Sequence, residues 1–148
     1  MLNTLLESYV TDKVGLEIGG PSESTGGVIY KHAKTVDNVI FSKETIWSTH
    51  DTEYKYADGK TGKLIINDAV DITDVDTATY DFIFASHSLE HIANPLKALH
   101  EWVRIVKDEG YIILVLPERS LTFDHNRSIS SFSTLLQQYE KDVGERIA

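Results

Sequence analysis

Residues 80–95 read YDFIFASHSLEHIANP, and no other stretch constrains the fold as strongly. It opens on the apolar run Phe82-Ile83-Phe84-Ala85, about the length of a strand buried on both faces. It then turns polar at once, through Ser86, His87, Ser88, Glu90 and His91. A helix follows with its own start signals: Asn94 suits the cap and Pro95 the first helical position. A strand buried on both faces needs cover on both, which points to an α/β sheet. Ligands of such sheets sit outside the carboxyl ends of the strands, where this polar cluster falls.

Two chemical readings arise here. One is the rim of a cofactor-and-substrate cleft. The other is a zinc site, because His87-Ser88-Leu89-Glu90-His91 fits H-x-x-E-H. Zinc hydrolysis through His87, Glu90 and His91 needs both histidines on one helical turn and a third ligand. A strand ending just before His87 and a helix starting at Asn94-Pro95 leave little room for that turn, so the rim is the preferred reading.

The rest of the chain alternates in the same way. Leu2, Leu5, Leu6, Tyr9 and Val10 recur at helical spacing. Residues 13–18 read as a buried strand that runs into Gly19-Gly20-Pro21-Ser22, a turn that lets a ligand approach the backbone. Glu17 at the end of that strand needs a polar partner. Residues 38–41 read as a second strand and residues 42–62 as a long polar connection. The third strand runs through Leu64-Ile65-Ile66 and ends near Asp71. The helix from Pro95 carries a buried stripe of Leu96, Leu99, Trp102, Val103 and Val106, with Gly110 ending it. Tyr111 to Leu116 is a continuous apolar run of the parallel-interior type, stopped by Pro117. Phe132, Leu135, Leu136 and Tyr139 mark a last amphipathic helix.

Bulk properties narrow the function classes. The 148 residues imply one domain, 1–148. Without cysteine there is neither disulfide nor thiolate chemistry, and no apolar run approaches the roughly 20 residues of a membrane span. The N-terminus shows no signal-peptide pattern, so a cytoplasmic location is the expectation. The net charge is −9, with no basic stripe to bind a polyanion. Nucleic acid and membrane partners are therefore not expected, and a small molecule, a sugar or a protein is the more plausible partner.

Val14-Gly15-Leu16-Glu17-Ile18-Gly19-Gly20-Pro21-Ser22 resembles the first motif of class I S-adenosylmethionine-dependent methyltransferases of the type 11-like kind. Residues 80–92 resemble their fourth-strand motif, and residues 96–116 the helix and strand after it. Phe123-Asp124-His125-Asn126-Arg127 is similar to an FDH-x-R signature of a bacterial subgroup often met beside surface-polysaccharide genes. The resemblance implies a Rossmann-like, mainly parallel sheet with helices on both faces. This chain shows about five strands of it, shortened toward the C-terminus. One sheet edge is then open, and copies of the chain could pair there as a homo-oligomer.

The resemblance also implies residue roles. S-adenosylmethionine would meet Glu17, Gly19, Gly20, Pro21, Asp71, Ile72, Ser86 and His87. His87 is the first candidate base and His125 the second. Pro21 stands where the family usually has a further glycine. Ser42 follows the second strand where a ribose-holding acid is usual, and Glu44 or Asp37 is the substitute. The expected activity is methyl transfer to a small molecule or sugar. The alternative is a cofactor-binding or interaction module of the same fold without catalysis.

Overall fold

Both faces of the strand at residues 80–86 are covered, as its apolar run requires. The structure, a computed structural model, describes residues 2–41, 53–123 and 125–144. In chain order the elements are α1 (Leu2–Val10), β1 (Val14–Ile18), α2 (Glu23–His32), β2 (Thr35–Ile40), β3 (Glu53–Tyr56), β4 (Lys60–Ile66), β5 (Tyr80–Ser86), α3 (Pro95–Ile105), β6 (Val106–Val115) and α4 (Phe132–Glu140). Ile83 and Ala85 of β5 pack with Leu16, Ile18, Trp102 and Ile105 on one side of the sheet. Phe82 and Phe84 pack with Val10, Ile29, Tyr30 and Tyr54 on the other. Successive residues of one strand thus feed two cores, the period-2 signature of a sheet between helical layers.

The strand order is β3-β4-β2-β1-β5-β6. Every neighbouring pair is parallel except β3 with β4. The chain moves outward from β1 to β2 on one side and to β5 on the other, so the order reverses at β1. This is a Rossmann-like, doubly wound topology.

Among the described residues the sheet has six strands, one more than the sequence pattern suggests. The added strand, β3, comes from the segment read as a connection; residues 42–52 of that segment lie outside the described residues. Tyr54 and Tyr56 are buried while Glu53 and Lys55 are exposed. This alternation is only four residues long, too short to tell from a loop by pattern. Gly62 of β4 sits against β2 so closely that a Cβ there would fall 1.9 Å from the Val36 carbonyl oxygen.

Two further differences concern the C-terminal third. The helix read as ending at Gly110 stops at Ile105, and β6 begins at once. Residues 107–110 bulge out between the Tyr80–Val106 and Phe82–Tyr111 pairs. Gly110 lies in that bulge, where a Cβ would be 2.7 Å from the Asp81 carbonyl oxygen. The Tyr111 to Leu116 run belongs to an edge strand and not to an interior one: β6 pairs with β5 alone among the described residues, and Tyr111 and Leu114 are exposed. Apolar content reports a preference for burial and does not count neighbouring strands. Helix α4 leaves Phe132 largely exposed. It is tied to the start of α3 by Asn94 Nδ2 donating to the Gln138 carbonyl (3.1 Å) and by the Lys97–Asp142 ion pair (2.5 Å).

Candidate functional site

β1 delivers the chain to a tight turn at the centre of the sheet's carboxyl edge. Gly19 takes φ +80°, a conformation that favours glycine, and its amide donates to the Val39 carbonyl (2.9 Å). Gly20 precedes a cis peptide to Pro21. The buried Asn38 clasps Gly20 from both sides: its Oδ1 accepts from the Gly20 amide (3.1 Å) and its Nδ2 donates to the Gly20 carbonyl (3.2 Å). Ser88 Oγ, from beyond β5, donates to the Ile18 carbonyl (2.8 Å). β2 and the segment just past β5 therefore fix the backbone of one turn.

Beside this turn opens a cleft of about 200 Å³. Its apolar walls are Ile18, Val39, Ile40, Phe41 and Ile92. Gly19, Gly20, Asn67, Asp68, Ala69 and Ser88 supply the polar edge and bare backbone. The cleft lies at the reversal of strand order, where open α/β sheets bind ligands.

Of the residues read from sequence, Gly19 and Gly20 line the cleft. Pro21, just past them, is exposed. Glu17 lies beneath the turn, fully buried. Its Oε1 accepts from the Ser22 amide (3.0 Å), and its Oε2 accepts from the hydroxyls of Tyr30 (2.7 Å) and Tyr54. The carboxylate is thus committed to protein donors. Burial and the neighbouring Glu17 carboxylate push both tyrosine hydroxyls well above their ordinary range, so they stay protonated and donate.

Ser86 is buried, its Oγ 2.7 Å from Thr25 Oγ1, and fastens the start of α2 to the end of β5. His87 adopts φ +52°, and its amide donates to the Val115 carbonyl (2.9 Å). Its half-exposed ring lies 3.5 Å from Glu90 Oε1, and His91 approaches the same oxygen at 4.0 Å. The left-handed residue at 87 and the single 3-10 turn Leu89–His91 keep the two histidines off a common α-helical face, so the zincin geometry is not formed. Among the described residues no group of three His, Cys, Asp or Glu side chains is placed to hold a metal. His125 is exposed, its Nδ1 2.9 Å from the Thr122 carbonyl in its own turn.

β4 ends at Ile66, and the chain reverses between Asp68 and Asp71. Asp71 is exposed and Ile72 fully buried, so the cleft is met by Asn67, Asp68 and Ala69 instead. The signal for this was the change from Leu64-Ile65-Ile66 to Asn67-Asp68; the apolar Ala69-Val70 beyond it disguised the strand end. Asp37 lies within β2, buried, accepting from the Tyr80 hydroxyl (2.7 Å) and the Lys63 amide (2.8 Å). It is a structural acceptor, and Glu44 lies outside the described residues.

Helix α3 holds the 69–72 segment against the cleft. Trp102 Nε1 donates to the Ala69 carbonyl (2.9 Å), and Glu101 Oε1 accepts from the Ile72 amide (2.8 Å). Hydrogen bonds from Arg104 outweigh burial and hold the Glu101 carboxyl below its usual range. A carboxylate with a lowered folded-state pKa contributes stability that is present above its unfolded value and lost as pH falls through the folded one. Between about pH 5 and pH 3 the wild-type urea midpoint is therefore expected to fall more steeply than that of Glu101→Gln, measured by denaturation at each pH.

The reversed strand order, the glycine turn and the cleft beside it define a class: a doubly wound α/β domain with an open cleft at the end of β1. The sequence profile of the family described as "Methyltransferase domain" matches residues 16–114, and the chain belongs to that family. No curated protein matches it by sequence. Among solved structures it is similar to the YcgJ protein of Bacillus subtilis (17% identity, TM-score 0.59, covering 76% of this chain and 48% of that one). It is similar also to Haemonchus contortus phosphoethanolamine N-methyltransferase 1, solved with phosphoethanolamine and S-adenosylhomocysteine (22%, 0.55, 74% and 24%). A third is the Haloferax volcanii complex of the Trm112 methyltransferase activator with a methyltransferase-like protein (17%, 0.56, 89% and 60%). At these identities the likeness is one of fold. The chain spans less than two thirds of the length of each of these relatives. Among the described residues no helix is long and apolar enough to cross a membrane.

Proposed function

We propose that the chain binds S-adenosylmethionine in the cleft beside Gly19-Gly20 and serves methyl transfer to a small-molecule or sugar acceptor. The observation that carries this reading is the turn itself: two glycines, Gly19 exposed and Gly20 buried, held by β2 and by Ser88 past β5, beside a cleft with apolar walls and a polar edge. Such a surface suits a nucleoside with a short charged arm. Asp68 is the cleft acid best placed to accept from an adenine amine or a ribose hydroxyl, and Asn67 and Ser88 are polar neighbours at the same edge. The net charge of −9 favours a cationic ligand. When bound, the cofactor supplies an activated methyl group on sulfur. The chain's part is to orient it and exclude water. His87 follows the end of β5 and adjoins Ser88 of the cleft, which makes it the histidine best situated to take a proton from an acceptor. Pairing of copies along the free side of β6 belongs to the same reading.

A second reading, binding without turnover, is favoured by one observation: His87 turns to Glu90 and His125 to its own loop, and neither lines the cleft.

Isothermal calorimetry with S-adenosylmethionine and S-adenosylhomocysteine tests the proposal. Saturable heat is expected for both, and Asp68→Ala should weaken each by about tenfold, the worth of one hydrogen bond to a charged group. Heat from neither at near-millimolar protein would rule the cofactor out. Equal affinity in the variant would move the adenosine contacts away from Asp68.

A further inference from the structure

Tyr54 comes from β3, the outermost strand of the sheet, yet its hydroxyl reaches the carboxylate beneath the glycine turn. Its ring is buried and stacks on Tyr56 with centroids 5.3 Å apart, and its oxygen lies 3.3 Å from the Tyr30 hydroxyl. Both hydroxyls converge on Glu17 Oε2, leaving Oε1 for the Ser22 amide, which also reaches the Tyr30 oxygen (2.7 Å). The carboxylate packs directly over Gly20, where a Cβ would be 2.4 Å from each of its oxygens. Two donors on one oxygen fix the rotation of the carboxylate, and the carboxylate fixes Gly20 and Ser22.

We infer that Tyr54 is a positioning residue for the ligand cleft: through Glu17 its hydroxyl sets the backbone of the Gly19-Gly20-Pro21-Ser22 turn, so that the β3–β4 hairpin governs how well the turn receives the ligand. This rests on the reading of the cleft as a cofactor site. Tyr54 touches no ligand; it acts through Glu17.

Tyr56 provides the comparison. It lies on the same hairpin, equally buried, but its hydroxyl accepts from the Val36 amide (2.9 Å), away from the turn. Tyr54→Phe and Tyr56→Phe each keep the ring and remove one hydroxyl. In Tyr54→Phe, S-adenosylhomocysteine affinity by calorimetry should fall about fivefold to tenfold. Exchange of the Gly20 and Ser22 amides, followed by NMR, should speed up about tenfold while the Ile83 and Phe84 amides keep wild-type rates. Tyr56→Phe should lower the melting temperature and leave both readouts within about twofold of wild type. Unchanged exchange at Gly20 and Ser22 in Tyr54→Phe overturns the inference. So does an equal loss in Tyr56→Phe, which would make hairpin docking the cause. If wild type binds no S-adenosylhomocysteine, the cofactor reading fails, and the exchange comparison still decides the role of Tyr54.

Discussion

Glu17→Ala is expected to lower the melting temperature by about 10 °C. The substitution removes the acceptor shared by the Ser22 amide and the Tyr30 and Tyr54 hydroxyls; the amide keeps the Tyr30 oxygen, and the two hydroxyls face a void. A buried donor without a partner costs about 1–3 kcal/mol, and with the cavity left behind the loss should be about 3–5 kcal/mol. For a chain of this size each kcal/mol is worth about 3 °C. Glu17→Gln keeps the volume and one strong acceptor, so it should fall between wild type and Glu17→Ala. Thermal melts followed by circular dichroism decide it. If Glu17→Ala melts within about 2 °C of wild type, the carboxylate is not the anchor of the turn.

Gly20→Ala is the second large effect, and it acts on the ligand as well as on stability. A Cβ at this position would stand 2.2 Å from the Glu17 carboxyl carbon. The carboxylate cannot swing aside without abandoning its donors, so the turn must move, at a cost of about 3 kcal/mol. Ligand affinity should drop at least about tenfold with it, because Gly20 backs the cleft. Gly27→Ala is the matched control. It lies inside α2, and an added Cβ there meets nothing within 4 Å. Replacing a helical glycine by alanine should raise stability by about 0.5–1 kcal/mol and leave binding alone. Chemical denaturation and calorimetry on the pair separate a cleft effect from a general intolerance of alanine.

The parts of the fold that the sequence makes legible are those whose signals are local. The residues 80–86 strand is apolar throughout, and Asn94 caps α3 with its side chain accepting from the Lys97 amide (3.2 Å). The glycine turn was readable as a turn because a buried strand runs straight into two glycines, a pattern that many turns share. Helix α2 was not, because Gly26 and Gly27 lower its propensity; Gly26 is there because the Tyr30 ring lies where its Cβ would be. Strand β3 hid in a polar segment, and with it Tyr54, whose partner lies 37 residues away in sequence. The cleft edge falls at Asn67-Asp68, ahead of Asp71, for a related reason: Ala69-Val70 continue the apolar look of β4 after the backbone has turned. Contacts closed by the third dimension leave little periodic trace.

The central claim is that the Gly19-Gly20 turn and the cleft beside it receive an S-adenosyl ligand. The most direct measurement is a titration of isotope-labelled protein with S-adenosylhomocysteine, followed amide by amide. The account predicts saturable shifts concentrated at Gly19, Gly20, Asp68, Ala69 and Ser88, with the amides of α4 unmoved. Shifts clustered elsewhere, or none at millimolar ligand, would contradict it.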